Sequence, residues 1–114
     1  MTSTAIPWNR RRPDHPRFPL KAPALATRAM PIEHTAEGEC LDLSRGGVGL
    51  RLGRDVAVGA PVRLTLRLKR QPPLTVQGRI AWIRPHPDLP GWAVGVQFHE
   101  ELDGELVAEI ANGE

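Results

Sequence analysis

Tyrosine is absent from this chain of 114 residues, and other aromatics are scarce: three Trp and two Phe. Any core must therefore be filled by aliphatic side chains. A chain this short holds one domain and buries about two-thirds of its unfolded surface. A single cysteine, Cys40, excludes an internal disulfide and a thiolate metal cluster. It predicts a reducing compartment, the cytoplasm. Residues 1–20 contain no apolar run of about seven residues, which predicts no signal peptide. No stretch approaches the roughly 18 apolar residues of a membrane-spanning helix. His15, His34, His86 and His99 are scattered, with no ligand pair at helical or strand spacing, so no metal is expected. Ser44 lacks a G-x-S-x-G context and Cys40 sits mid-strand, so no nucleophile–base pair is read and no enzyme is predicted.

What is present is charge of uneven placement and hydrophobicity of period two. The net charge is only +2, yet residues 1–30 carry six Lys or Arg against one acid, Asp14. A basic head on a mildly acidic body predicts a local anion site, not a surface for DNA or RNA. Residues 1–20 read as a flexible basic head, interrupted by Pro7, Pro13, Pro16 and Pro19. Residues 21–114 read as the folded part. In 61–69, Val62, Leu64, Leu66 and Leu68 alternate with Arg63, Thr65, Arg67 and Lys69, a strand with one wet face. Weaker strands are expected over 22–30, 35–43, 48–52, 74–82 and 92–98. In the fifth, Trp82 shares parity with Val76 and Ile80. Leu102, Leu106 and Ile110 form one apolar stripe, predicting a short helix over 102–111. Six short strands at regular spacing predict a six-stranded antiparallel β-barrel with one short C-terminal helix.

Two motifs carry the chemistry. The first is Arg10-Arg11-Arg12 followed by His15-Pro16-Arg17. A guanidinium matches a phosphate or the O6/N7 edge of guanine, and equally serves as a solvated basic tail. The second is Asp42-Leu43-Ser44-Arg45-Gly46-Gly47, where paired glycines suit a turn with positive φ. On a strand, Asp42 and Ser44 would share one face and could hold a guanine edge or a phosphate. In an ordinary turn the same side chains bond their own backbone. If Asp42 stands clear of the core opposite Leu41 and Leu43, its removal should hardly change stability.

Together with the strand pattern, these motifs resemble the PilZ family. That family joins an N-terminal RxxxR loop to a D/N-x-S-x-x-G turn, followed by a G-x-apolar-x-W strand and an apolar-x-G-apolar-x-F strand. Asp42 to Gly47 match the turn; Gly78-Arg79-Ile80-Ala81-Trp82 and Val94-Gly95-Val96-Gln97-Phe98 are similar to the two strands. His15-Pro16-Arg17-Phe18-Pro19-Leu20 resembles the end of the arginine loop. The chain departs from the pattern at Pro13, where an Arg four residues before Arg17 is expected. Arg12 lies five before it, consistent with one extra loop residue, which a loop absorbs where a strand cannot. The resemblance implies cyclic di-GMP as ligand, with Arg11, Arg12, Arg17, Asp42, Ser44, Gly47 and Trp82 as candidate contacts. Trp82 is equally readable as core. The implied role is a non-enzymatic sensor that signals to a separate partner protein, without a cofactor and without membrane insertion. The alternative is a ligand-independent adaptor of the same fold, for example in pilus or motility assembly.

Overall fold

On Pro61–Leu66 the aliphatic Val62, Leu64 and Leu66 are buried while Pro61, Arg63 and Thr65 are not, as alternation on a pleated strand requires. Six strands and one helix make up the computed structural model, which describes residues 16–28 and 34–114. The strands are Phe18–Arg28 (β1), His34–Leu43 (β2), Gly47–Leu52 (β3), Pro61–Leu66 (β4), Leu74–Pro85 (β5) and Trp92–Phe98 (β6); the helix is Gly104–Gly113 (α1). All pairings are antiparallel, in the order β1-β2-β3-β6-β5-β4. Pairing of β1 with β4 closes the barrel and removes its edges. No helix among the described residues is long and apolar enough to cross a membrane.

The interior is asymmetric. Leu50 and Leu52 of β3, Leu64 and Leu66 of β4, and Val94 and Val96 of β6 fill it, while Ala22, Ala24 and Ala26 of β1 and Ala36 and Cys40 of β2 line the other wall. Small side chains facing large ones suit a narrow barrel, whose interior side chains must fill without overlap. The alanines also explain why β1 reads weakly in sequence: its one large central aliphatic, Leu25, faces outward and is 39% exposed. The strand starts at Phe18, inside the segment read as a head. Leu20 is buried, and Pro19 and Pro23 fall where β1 pairs in register with β2 alone, so one edge needs no donor there.

Three other expectations are corrected. β4 ends at Leu66, because residues 69–71 turn onto the end of α1. The Glu114 carboxylate accepts the Lys69 and Arg70 backbone amides, and the Gln71 side-chain amide donates to the Glu109 carbonyl. The helix begins two residues later than its apolar stripe suggests. Asp103 is its extended N-cap, its side chain accepting the Glu105 amide at 2.7 Å. Val107 and Ile110 are the residues α1 buries in the barrel core, with Leu102 reaching it from the preceding loop. Positive φ occurs at Gly59 and Gly91, not in the turn after Ser44.

Candidate functional site

The site begins with an irregularity in β2. Cys40 pairs with Leu50 and Asp42 with Gly49, so Leu41 is an extra residue with no partner of its own on β3. Such a bulge breaks the period of two. Cys40 and Leu43 both point inward although three residues apart, while Leu41 is 37% exposed and Asp42 is turned to the outer face. Leu41 and Leu43 therefore do not share a face.

Asp42 is not a free surface carboxylate. Its Oδ1 accepts the Gly49 amide across the strand pair at 3.1 Å and forms an ion pair with the Arg17 guanidinium. The register that sets Pro19 against Asp42 brings Arg17, just before β1, alongside it. The two side chains are 17% and 36% exposed, so water screens this pair only partly. Gly49 is what allows the arrangement: a Cβ there would stand 2.7 Å from Asp42 Oδ1. Arg17 and Asp42, 25 residues apart in sequence, are thus brought together.

Ser44 is not brought with them. β2 ends at Leu43 and the chain turns, leaving Ser44 2% exposed. Its hydroxyl donates to the Gly47 carbonyl and accepts the Gly46 amide, each at 3.3 Å, and its own amide donates to the same Gly47 carbonyl at 2.9 Å. Ser44 therefore bonds the backbone of its turn instead of sharing a face with Asp42. Gly47 opens β3 opposite Gln97, and the Gly46 carbonyl accepts the Phe98 amide. Arg45 ties the turn to the segment before α1: its Nε donates to the Leu102 carbonyl at 3.1 Å. Arg11 and Arg12, with Arg10, Pro13 and His15, lie outside the described residues.

A second bulge, at Ala81 in β5, decides the place of Trp82. Ile80 pairs with Val96 and Trp82 with Gly95, so Trp82 shares the outward parity of Gly95 rather than the inward parity of Ile80. It is half-buried. The Arg84 guanidinium stands 4.9 Å from its ring centroid, in cation–π range, and its buried indole N–H has no hydrogen-bond partner among the described residues.

The pairings place one continuous row across five strands: Pro19, Asp42, Gly49, Gly95 and Trp82. Between Asp42 and Trp82, three strand spacings or about 14 Å along the sheet, the row contains only glycine. Gly49, Gly95 and Arg84 are absent from the residues singled out in sequence. Gly95 lies within a quoted strand motif, but its role becomes visible only through the register with Gly49.

Cys40 is buried two residues before Asp42, its thiol donating to the Asp42 carbonyl at 3.4 Å. Burial, reinforced by the Asp42 charge, pushes its thiol up from 9.0 to about 12. Between those values the unfolded chain has released a proton that the folded chain keeps. Stability therefore falls as pH rises, by up to about 1.4 kcal/mol per pH unit. In denaturant melts from pH 8 to 11, wild type should lose stability faster than Cys40→Ala. Parallel losses would show that the thiol ionises equally in both states.

The sequence matches the PilZ domain family over residues 10–112. Among solved structures, the fold is similar to the PilZ domain of YcgR from Escherichia coli, determined with c-di-GMP. The TM-score is 0.70 at 16% identity, covering 91% of this chain and 90% of that one. It is similar to the inhibitor of motility MotI/DgrA from Bacillus subtilis, with TM-score 0.67 at 16% identity, over 90% of this chain and 49% of that one. This chain thus spans about half the length of the Bacillus protein. The PilZ domain of CeSA from a cellulose-synthesizing bacterium gives 0.59 at 23% identity, over 86% and 96% of the two chains. At these identities the likeness is one of fold. No curated protein matches the sequence. The family match spans all six strands and all but the end of the helix, and the chain belongs to the PilZ domain family.

Proposed function

We propose that the outer face of β2, β3, β6 and β5 binds cyclic di-GMP, and that the occupied face is read by a separate protein. The observation that carries this reading is the row Asp42–Gly49–Gly95–Trp82: a strip without side chains between a carboxylate–guanidinium pair and an indole–guanidinium pair. A flat base can approach backbone closely where no Cβ stands. Gly49 and Gly95 are buried, so ligand entry requires the side chains above the strip to part.

Each residue then has a distinct task. Asp42 holds the Arg17 guanidinium at the edge of the strip through Oδ1, and Oδ2 accepts from the N1–H and N2–H edge of a guanine. Arg17 offers its fork to phosphate or to guanine O6/N7, and Arg11 and Arg12 contribute further phosphate contacts. Trp82 and Arg84 extend a stacking surface. Ser44 and Gly47 keep the turn in the shape that presents Asp42. The role is binding and signalling, without catalysis. The likeness to the YcgR domain, determined with c-di-GMP, supports this ligand.

Calorimetric titration with cyclic di-GMP tests the reading, with GTP and cyclic di-AMP as controls. Low-micromolar or tighter binding is expected, selective over cyclic di-AMP, since adenine lacks the N1–H and N2–H donors that Asp42 would accept. Absence of heat up to about 100 μM, roughly −5.5 kcal/mol, would contradict it.

A further inference from the structure

Between Asp55 and Asp88 the chain carries six basic residues and no acidic one. The strands of that stretch, β4 and β5, form with β1 a continuous part of the barrel wall, and β1 also lacks a carboxylate. Arg63 sits between Thr27 and Gln77, and Arg79 lies two positions further along β5, diagonal to it at about 7–8 Å. Arg67 follows β4, its amide bonded to the Pro23 carbonyl at 2.9 Å. These three arginines are exposed and have no carboxylate partner among the described residues.

The arginines flank an apolar centre. Pro23 and Leu25 face outward from β1, and Leu25 lies in one row with Thr65 and Thr75, whose hydroxyls meet at 3.2 Å. An exposed aliphatic centre with a polar, cationic rim has the anatomy of a protein contact. It does not suit a nucleic acid. Among the described residues no aromatic side chain stands on this part of the wall to stack a base, since Trp82 lies beyond the Ala81 bulge in the row of Gly95. An extended polyanion would also meet carboxylates nearby: β2 carries Glu37 and Glu39, and residues 99–114 carry six acids and no Lys or Arg. A compact acidic patch fits the face and avoids that repulsion.

We propose that the outer face of β1, β4 and β5 docks an acidic surface of a separate protein. The face is three strands wide and about 20 Å long, which suits a small, transient and salt-sensitive contact. It lies mainly on other strands than the Asp42–Trp82 row, so it stands or falls independently of cyclic di-GMP binding.

A photoreactive phenylalanine analogue placed at Thr65 or Gln77, and irradiated in the cells that make the protein, tests this. Val58, exposed in the loop between β3 and β4, is the control position. The expected result is one protein crosslinked from both Thr65 and Gln77 but not from Val58, through a peptide rich in Asp and Glu. With that protein purified, affinity should fall at least tenfold between 50 and 300 mM salt, about 1.4 kcal/mol. It should fall as much in Arg63→Glu/Arg67→Glu, whose thermal transition should match wild type. Crosslinks to nucleic acid, to a second copy of this chain or to a non-acidic peptide would overturn the proposal. So would capture equally from Val58, or no crosslink at all.

Discussion

Asp42→Ala is expected to weaken cyclic di-GMP binding by at least about 2 kcal/mol, roughly thirtyfold, and also to destabilise the barrel. Direct loss of a guanine contact is worth about 1–3 kcal/mol. The same substitution removes the carboxylate partner of the Arg17 guanidinium, so the loss should exceed that of Arg17→Ala alone. The stability effect follows from the structure and runs against the expectation from sequence, where an outward carboxylate appears dispensable. Asp42 accepts the Gly49 amide, and leaving a largely buried donor unpaired costs about 1–3 kcal/mol. Asp42→Asn separates the two roles: its amide oxygen still accepts from Gly49, but it carries no charge for Arg17. Thermal stability should return toward wild type in Asp42→Asn while affinity stays low. Equal stability of wild type and Asp42→Ala would show that the Gly49 bond contributes nothing. Full affinity in both variants would remove Asp42 from the site.

Gly49→Ala is expected to cost nearly as much affinity, although it deletes no polar group. A Cβ at this position would stand 2.7 Å from Asp42 Oδ1 and 3.3 Å from Cγ, so the carboxylate must swing away. That breaks the amide bond, displaces the partner of Arg17 and puts a methyl group into the strip. The nearest obstacle is a side-chain end and not backbone, so the barrel should still fold, with a stability loss of about 1–3 kcal/mol. The combination Gly49→Ala/Asp42→Ala is the informative control. If the methyl acts by displacing the carboxylate, the double variant should lose far less than the sum of the singles. Additive losses would mean that Gly49 acts independently of Asp42.

These two positions also show where sequence reading reaches and where it stops. β4 is legible because burial alternates along it, and β6 because its large side chains fall on one parity: Val62, Leu64 and Leu66 in one, Val94, Val96 and Phe98 in the other. β1 is faint because its inward residues are alanines, which carry little hydrophobic signal. The bulges at Leu41 and Ala81 are invisible to any periodic pattern, since each adds one residue and reverses parity beyond it. That reversal places Leu41 apart from Leu43 and Trp82 apart from Ile80. The D-x-S-x-x-G motif marks the right turn, yet two residues between which it draws no distinction separate in space: Asp42 stays on the outer face while Ser44 is buried in the turn. The pairing of Gly49 with Gly95 depends on the register of β3 against β6, a contact between distant segments that no local motif encodes.

Titration of isotope-labelled protein with cyclic di-GMP, followed amide by amide in NMR, tests the central claim most directly. The strip should respond as a unit: the Gly49 and Gly95 amides and the Trp82 indole N–H should show the largest shifts, together with residues flanking Arg17. The outer face of β4, around Thr65, should remain still. Shifts confined to residues away from the Asp42–Trp82 row, or a spectrum unchanged at saturating ligand, would contradict the account.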